Sequence, residues 1–307
     1  MSKDILVSMT TTEDPVKTSL LTARTEFSKA RIWPMQPMEI DPSGWLENFA
    51  PEDRHVAVAL LDTFMFFNGE MTKTLLESAL ASLAAQPEYS DSPHKWESFL
   101  RRALITFPTG ETPSPTDSGY MFVRIARQQF GFPESQIVDP QGAVVKVDAS
   151  QEPVPVIFVD DIVGSGDQLI ETWCRDYPLR EGGFTSLNDQ WEGGEIESVH
   201  VVAPIVTWAA NQRLAEDYPY FGIGKAHILG PEYSAKNSRT VLVPEELRTD
   251  LTRVITKYSP KCGFSGKDAF GHNELALNIA FEHSFPDLSL PLLWSESSDW
   301  KPLRKRS

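Results

Sequence analysis

Six consecutive apolar residues, Val154 to Val159, run directly into two adjacent aspartates, Asp160 and Asp161, and then into Ile162-Val163-Gly164-Ser165-Gly166-Asp167-Gln168. This stretch constrains the fold more than any other. A strand with one wet face alternates apolar and polar residues, whereas an unbroken apolar run must be covered on both faces. A glycine loop follows, and then the helix-forming segment "DQLIETWCRDY". Strand, loop and helix in that order form the repeating unit of a parallel sheet with helices on both sides.

Ligands of an open parallel sheet bind beyond the carboxyl ends of its strands. Asp160 and Asp161 stand at such an end. Two neighbouring carboxylates repel each other, and an unpaired buried charge is costly. The pair therefore asks for a positive or hydroxyl-rich partner. Gly164 and Gly166 let backbone N–H groups turn inward and a phosphate come close. A helix from about residue 168 adds its N-terminal amides, and Ser165 and Gln168 add side-chain donors. A molecule with hydroxyls at one end and phosphate at the other, such as a ribose 5-phosphate, satisfies both halves. Bulky residues at Gly164 or Gly166 are expected to block its approach.

"VIFVDDIVGSGDQ" resembles the phosphoribosyl pyrophosphate (PRPP) motif of type I phosphoribosyltransferases. The resemblance implies that Asp160 and Asp161 hold the ribose 2- and 3-hydroxyls. It also implies that Val163, Gly164, Ser165, Gly166, Asp167 and Gln168 surround the 5-phosphate. Three positions depart from the motif. Gly164 replaces a small polar or acidic residue, and Gln168 replaces a Thr or Ser that grips phosphate. Asp167 puts a negative charge beside the phosphate, which is unfavourable unless it caps the helix or faces outward.

Other segments are similar to one divergent branch, the phosphoribosyltransferase-like effectors of bacterial anti-phage and conflict systems, retron-associated ones included. These are "RIW" followed by "WLENF", "DSGYMFVRIAR", and the tail "GHNELALNIAFEHSFPDLSLPLLW". The resemblance implies an α/β fold of phosphoribosyltransferase type, a parallel-centred sheet flanked by helices. The expected divisions are an N-terminal helical region (1–107), an α/β core (108–245) and a C-terminal hood (246–307). It implies a toxin-like or regulatory effector acting at an anomeric carbon. Asp160 and Asp161 would be both the catalytic acids and the ligands of a Mg²⁺ cofactor that bridges pyrophosphate and ribose.

For the pyrophosphate the candidate is "TDSGY", Thr116 to Tyr120. Ser118 and Gly119 would offer backbone donors, and Arg124 or Arg127 positive charge. The same residues also read as a helix start capped by Asp117 or Ser118. His283 in "FEHS" is the candidate general base, with a structural role as its alternative.

Along the rest of the chain, residues 1 to about 30 read as loosely ordered. A helix opening at Pro51 and Glu52 follows, with Val56, Leu60, Phe64 and Phe67 at helical spacing. A second carries Met71, Leu75, Leu76, Ala79, Leu80 and Leu83, and a third Trp96, Phe99, Leu100 and Leu104. "GYMFVRIARQQF", "WAANQRLAEDY" and "EELRTDLTRVITKY" read as further helices. Besides 154–161, the runs at 143–148, 198–208 and 225–230 read as strands.

Charge and motif absences narrow the function. The formal net charge of −15 argues against a broad basic face for duplex nucleic acid. The basic cluster in "KPLRKRS" reads as a solvated tail. Two cysteines without a CxxC pair argue against disulfide frameworks and zinc knuckles. No apolar run approaches the ~20 residues of a membrane span, and the polar, acid-bearing N-terminus is unlike a signal peptide, so a cytoplasmic protein is expected. No G-x-x-x-x-G-K-[ST], G-x-S-x-G or H-E-x-x-H exists. The ligand expected is a small phosphoribosyl compound or nucleotide. The rival to an enzyme is a PRPP- or nucleotide-binding sensor without turnover. A third reading is control by protein partners, with Trp33, Trp45 and Trp294 as anchors or as core residues.

Overall fold

The computed structural model describes residues 15–110 and 118–306. Its strands are β1 (Met65–Phe67), β2 (Leu104–Thr106), β3 (Val154–Val159), β4 (Ile162–Val163), β5 (Tyr177–Pro178), β6 (Phe184–Thr185), β7 (Ile196–Thr207), β8 (Phe221–Leu229) and β9 (Ile279–Phe281). The helices are α1 (Pro15–Lys29), α2 (Pro42–Leu46), α3 (Arg54–Asp62), α4 (Gly69–Ala84), α5 (Pro87–Ser90), α6 (Pro93–Arg102) and α7 (Ser118–Phe130), then α8 (Pro140–Asp148), α9 (Asp167–Cys174), α10 (Leu187–Glu192), α11 (Trp208–Asp217), α12 (Arg248–Tyr258) and α13 (Pro291–Trp294).

The central sheet is parallel throughout. β2 pairs with β3, β3 with β7, and β7 with β8. Val156 and Phe158 of β3 face a core completed by α8, α9, α10 and α11, with Val144, Leu169, Trp173, Leu187 and Leu214. Ile157 and Val159 face the opposite core, with Leu76 and Leu83 of α4, Phe99 of α6 and Phe122 of α7. Both faces are therefore dry, which accounts for the unbroken apolar run.

β4 is the continuation of β3. Val159 is opposite Val202, and Ile162 is opposite Ile205 on the same edge of β7, so pairing resumes in register after the two aspartates. Asp160 keeps one tie, its N–H donating to Val202 O at 3.2 Å. The acids are thus a notch inside a strand, and the strand's end lies at Val163 rather than at Asp161.

The segment 143–148 is helical, not a strand. Asp139 caps α8 by accepting from Gly142 N, Pro140 sits in its first turn, and Ala143, Val144 and Val147 bury one face. Tertiary burial at i, i+1 and i+4 overrides the strand preference of the valines. Residues 15–29 also form a helix, with Leu20 and Arg24 buried; residues 1–14 lie outside the described part. The helix expected from Pro51 starts at Arg54, after a turn.

Helices α1 to α3 share a core with the C-terminal segment, which includes Leu251, Leu292 and Trp300. Phe49 sits at its centre, with ring centroids 5.0 Å from Trp45, 4.9 Å from Tyr258 and 5.3 Å from Trp300. Trp33 and Trp45 are both buried here. β1 and β9 pair in parallel, joining the two ends of the chain. No helix among the described residues is long and apolar enough to cross a membrane.

Candidate active site

The sheet and the C-terminal segment enclose a cavity of about 830 Å³. Asp160 to Leu169 line it, together with Gly110, Tyr120 and Met121 and with His272, His283 to Leu288 and Arg306 from the C-terminal segment. The acids, the glycine loop and Gln168 therefore share one space.

Both acids are 8% exposed. Asp160 Oδ1 accepts from Asp161 N at 2.9 Å, and Asp161 Oδ1 accepts from Ile162 N at 2.8 Å. Asp161 Oδ2 lies 2.9 Å from His283 Nε2. Since an ionised carboxylate only accepts, this nitrogen carries the proton. The imidazole stacks on Phe281 and meets the edge of Phe122, which fixes its plane. Burial, and then the neighbouring Asp161 charge, push the Asp160 carboxyl well above its ordinary range. A cation or hydroxyl-rich ligand would compensate the pair.

The loop is held from behind. Gly166 has φ +82°, a left-handed conformation that favours glycine. A Cβ on Gly164 would fall 2.3 Å from Leu288 Cδ1, so the C-terminal segment closes over this residue. Thr207 Oγ1 donates to Gly164 O. Arg213 of α11 donates to Ser165 O at 3.0 Å.

Asp167 faces a full set of donors. It accepts from Arg213 Nη1, from Ser165 Oγ at 2.7 Å and from Asn273 Nδ2 at 2.6 Å, with His272 Nε2 at 3.5 Å. Burial opposes the charge, but hydrogen bonds from Arg213, Ser165 and Asn273 win and hold its carboxyl far below the usual range. Asp167 is the first residue of α9, where negative charge is also favoured.

The pyrophosphate candidates are placed differently. Thr116, Asp117 and the Ser118 side chain lie outside the described residues. Gly119 is buried in the first turn of α7, where a Cβ would strike the Phe107 ring at 2.3 Å. Arg124 is exposed, and neither it nor Gly119 lines the cavity. Gly110 does line it. Arg175 holds this segment, donating to Thr109 Oγ1 at 2.7 Å and Gly110 O at 2.9 Å. Thr109 N in turn donates to Thr172 Oγ1. No motif in the sequence marks Thr109, Gly110, Arg213 or His272.

A family model, PRTase-CE, matches residues 42–306. The chain belongs to the PRTase-CE family, a phosphoribosyltransferase-like family. The parallel sheet flanked by helices is the fold expected of such a protein, and the family indicates a phosphoribosyltransferase-like function with a small-molecule ligand. A search of curated proteins finds no match.

Proposed function

We propose that this PRTase-CE protein is a Mg²⁺-dependent enzyme acting at the anomeric carbon of PRPP or a nucleotide, by transfer or hydrolysis. We further propose that it serves as a cytoplasmic effector of bacterial anti-phage defence. One observation carries the chemical reading: the paired acids and the glycine loop line a single cavity. The defence role rests on family resemblance.

The residues present fit a shared magnesium ion. No group of three or more His, Cys, Asp or Glu able to hold a metal occurs among the described residues. Two hard carboxylates alone suit Mg²⁺, which retains waters and takes its other ligands from substrate phosphates. Asp160 and Asp161 would hold it, and its charge would neutralise a departing pyrophosphate.

The protein's own contribution is position and field. Asp160 and Asp161 accept from the ribose hydroxyls, while loop amides and Gln168 receive the 5-phosphate. As the bond from C1 to the leaving group breaks, its electron pair departs with that group and positive charge develops on the sugar. The two carboxylates lie where they can stabilise that charge. An acceptor lone pair then forms the new bond to C1, and its proton passes to solvent. Orientation of this kind contributes about 7–11 kcal/mol in well-aligned reactions.

Incubation with PRPP or nucleotides and Mg²⁺, followed by assay of released pyrophosphate or free base, tests the proposal. Sustained release that is lost in Asp160→Asn/Asp161→Asn supports it. Release unaffected by that double variant overturns it. Binding without turnover favours the sensor reading, for which the carboxylate inside the phosphate loop is the specific motive.

A further inference from the structure

We propose that this site takes a ribose 5-phosphate whose phosphate is esterified onward, through a pyrophosphate bridge, to a second nucleoside, in preference to a free 5-monophosphate. The inference rests on reading the cavity as a ribosyl site. Two independent features carry it, one electrostatic and one geometric.

The electrostatic feature is Asp167. Its carboxylate lies within the segment that would surround the 5-phosphate, ionised and already served by Ser165, Arg213 and Asn273. Those donors are spent on an internal anion. A terminal phosphate monoester carries a charge of about −1.5 to −2 at neutral pH and finds these donors already engaged. A bridging phosphate carries a single charge and suffers less. Of the two substrate classes proposed above, the loop therefore suits a bridged nucleotide better than PRPP or a nucleoside monophosphate.

The geometric feature is a second cavity of about 620 Å³. It shares His272, Asp287 and Arg306 with the first. His272 and Asn273 are the residues that reach Asp167, so the second cavity opens at the phosphate end of the ribosyl site. Gly110, Tyr120 and Met121 line only the first cavity. A substituent on the 5-phosphate has space there.

Its lining suits a second nucleoside. Trp294 is partly exposed, with Phe264 edge-on at 5.4 Å and the Arg306 guanidinium 5.1 Å from its ring centroid. Lys267 is exposed on the same wall. Of the acids lining it, Glu274 is paired with Lys236 and Asp287 with Arg306, while Asp268 adds a further negative charge. A partly exposed indole beside the exposed Lys267 is what a base and a bridging phosphate require.

Calorimetric titration of the full chain with ADP-ribose and with ribose 5-phosphate separates the possibilities. We expect ADP-ribose to bind at least ten-fold more tightly. Lys267→Glu, at an exposed position, and Trp294→Ala should each reduce that ratio several-fold while leaving ribose 5-phosphate affinity unchanged. Asp160→Asn/Asp161→Asn should weaken both ligands. Equal affinity for the two ligands, or a preference that survives both cavity variants, overturns the inference and leaves the ribosyl site standing if the double variant still weakens binding. Failure of both ligands to bind, or indifference to the double variant, overturns the inference and the ribosyl reading together.

Discussion

His283 Nε2 donates to Asp161 Oδ2 at 2.9 Å, linking residues 122 positions apart. The bond joins the acid pair to the C-terminal segment. Hydrogen bonds to charged groups contribute about 1.5–3 kcal/mol. We expect His283→Ala to lower kcat/KM by roughly ten- to a hundred-fold, through kcat rather than KM, because Asp161 loses its orientation. Steady-state kinetics on the Mg²⁺-dependent reaction would check this, with circular dichroism confirming the fold. An unchanged kcat would show that Asp161 needs no such support.

Asp160→Asn should inactivate the protein yet stabilise it. Asparagine keeps an oxygen to accept from Asp161 N and removes a charge that burial and Asp161 both oppose. Relief of such strain raises the melting temperature by about 2–4 °C per kcal/mol in chains of about 150–250 residues, and by less in a longer one. For a carboxyl raised on folding, stability is lost as pH rises above the unfolded range, so the gain should be larger at pH 7 than at pH 4. Calorimetry at the two pH values measures it.

His200 supplies an acid-sensitive element of the sheet. It is buried between Tyr89 and Phe99, with Nε2 3.2 Å from both the Tyr89 hydroxyl and Ser198 Oγ. Nδ1 is buried without a hydrogen-bond partner among the described residues. Burial pulls the imidazole down to about 4. The unfolded chain therefore binds the extra proton first, and stability declines as pH falls from about 6.5 to about 4. Full titration across that window corresponds to about 3 kcal/mol. Urea unfolding across that range should show the wild type losing about 3 kcal/mol relative to His200→Phe as the pH falls.

Asp53 ties α12 to the start of α3. Its buried carboxylate accepts from Lys257 Nζ at 2.6 Å, Arg253 Nη1 at 2.8 Å and Tyr258 OH at 3.0 Å. The Lys257 hydrogen bond leads in holding it down at about 2, with burial opposing. Its contribution is complete above the ordinary carboxylate range and is lost as pH falls from about 4 to about 2. Asp53→Ala should cost about 2–3 kcal/mol, since both cations can return to water. Denaturation at pH 7 gives the size, and at pH 2 most of the difference from wild type should be gone.

The sequence made the centre of the site legible and left its rim obscure. Val154–Gln168 announces itself because dryness on both faces, adjacent acids and a glycine turn are all local features. Arg213, His272 and Asn273 carry no such mark, since their meaning comes from Asp167 and only folding brings them to it. His283 was visible as a histidine, but its partner was not. The valines of 143–148 misled for the opposite reason. Their local preference pointed to a strand, while Asp139, Pro140 and the adjoining core made a helix.

The return of Ile162 and Val163 to the edge of β7 has a mechanical consequence. Strand pitch, about 3.3 Å per residue, sets the reach from the notch to the turn beyond it. That interval works as a rigid gauge whose length the sheet dictates. Adding or deleting one residue at Ile162–Val163 would invert every side chain beyond it, and the two ends of a bound sugar would no longer find their seats together.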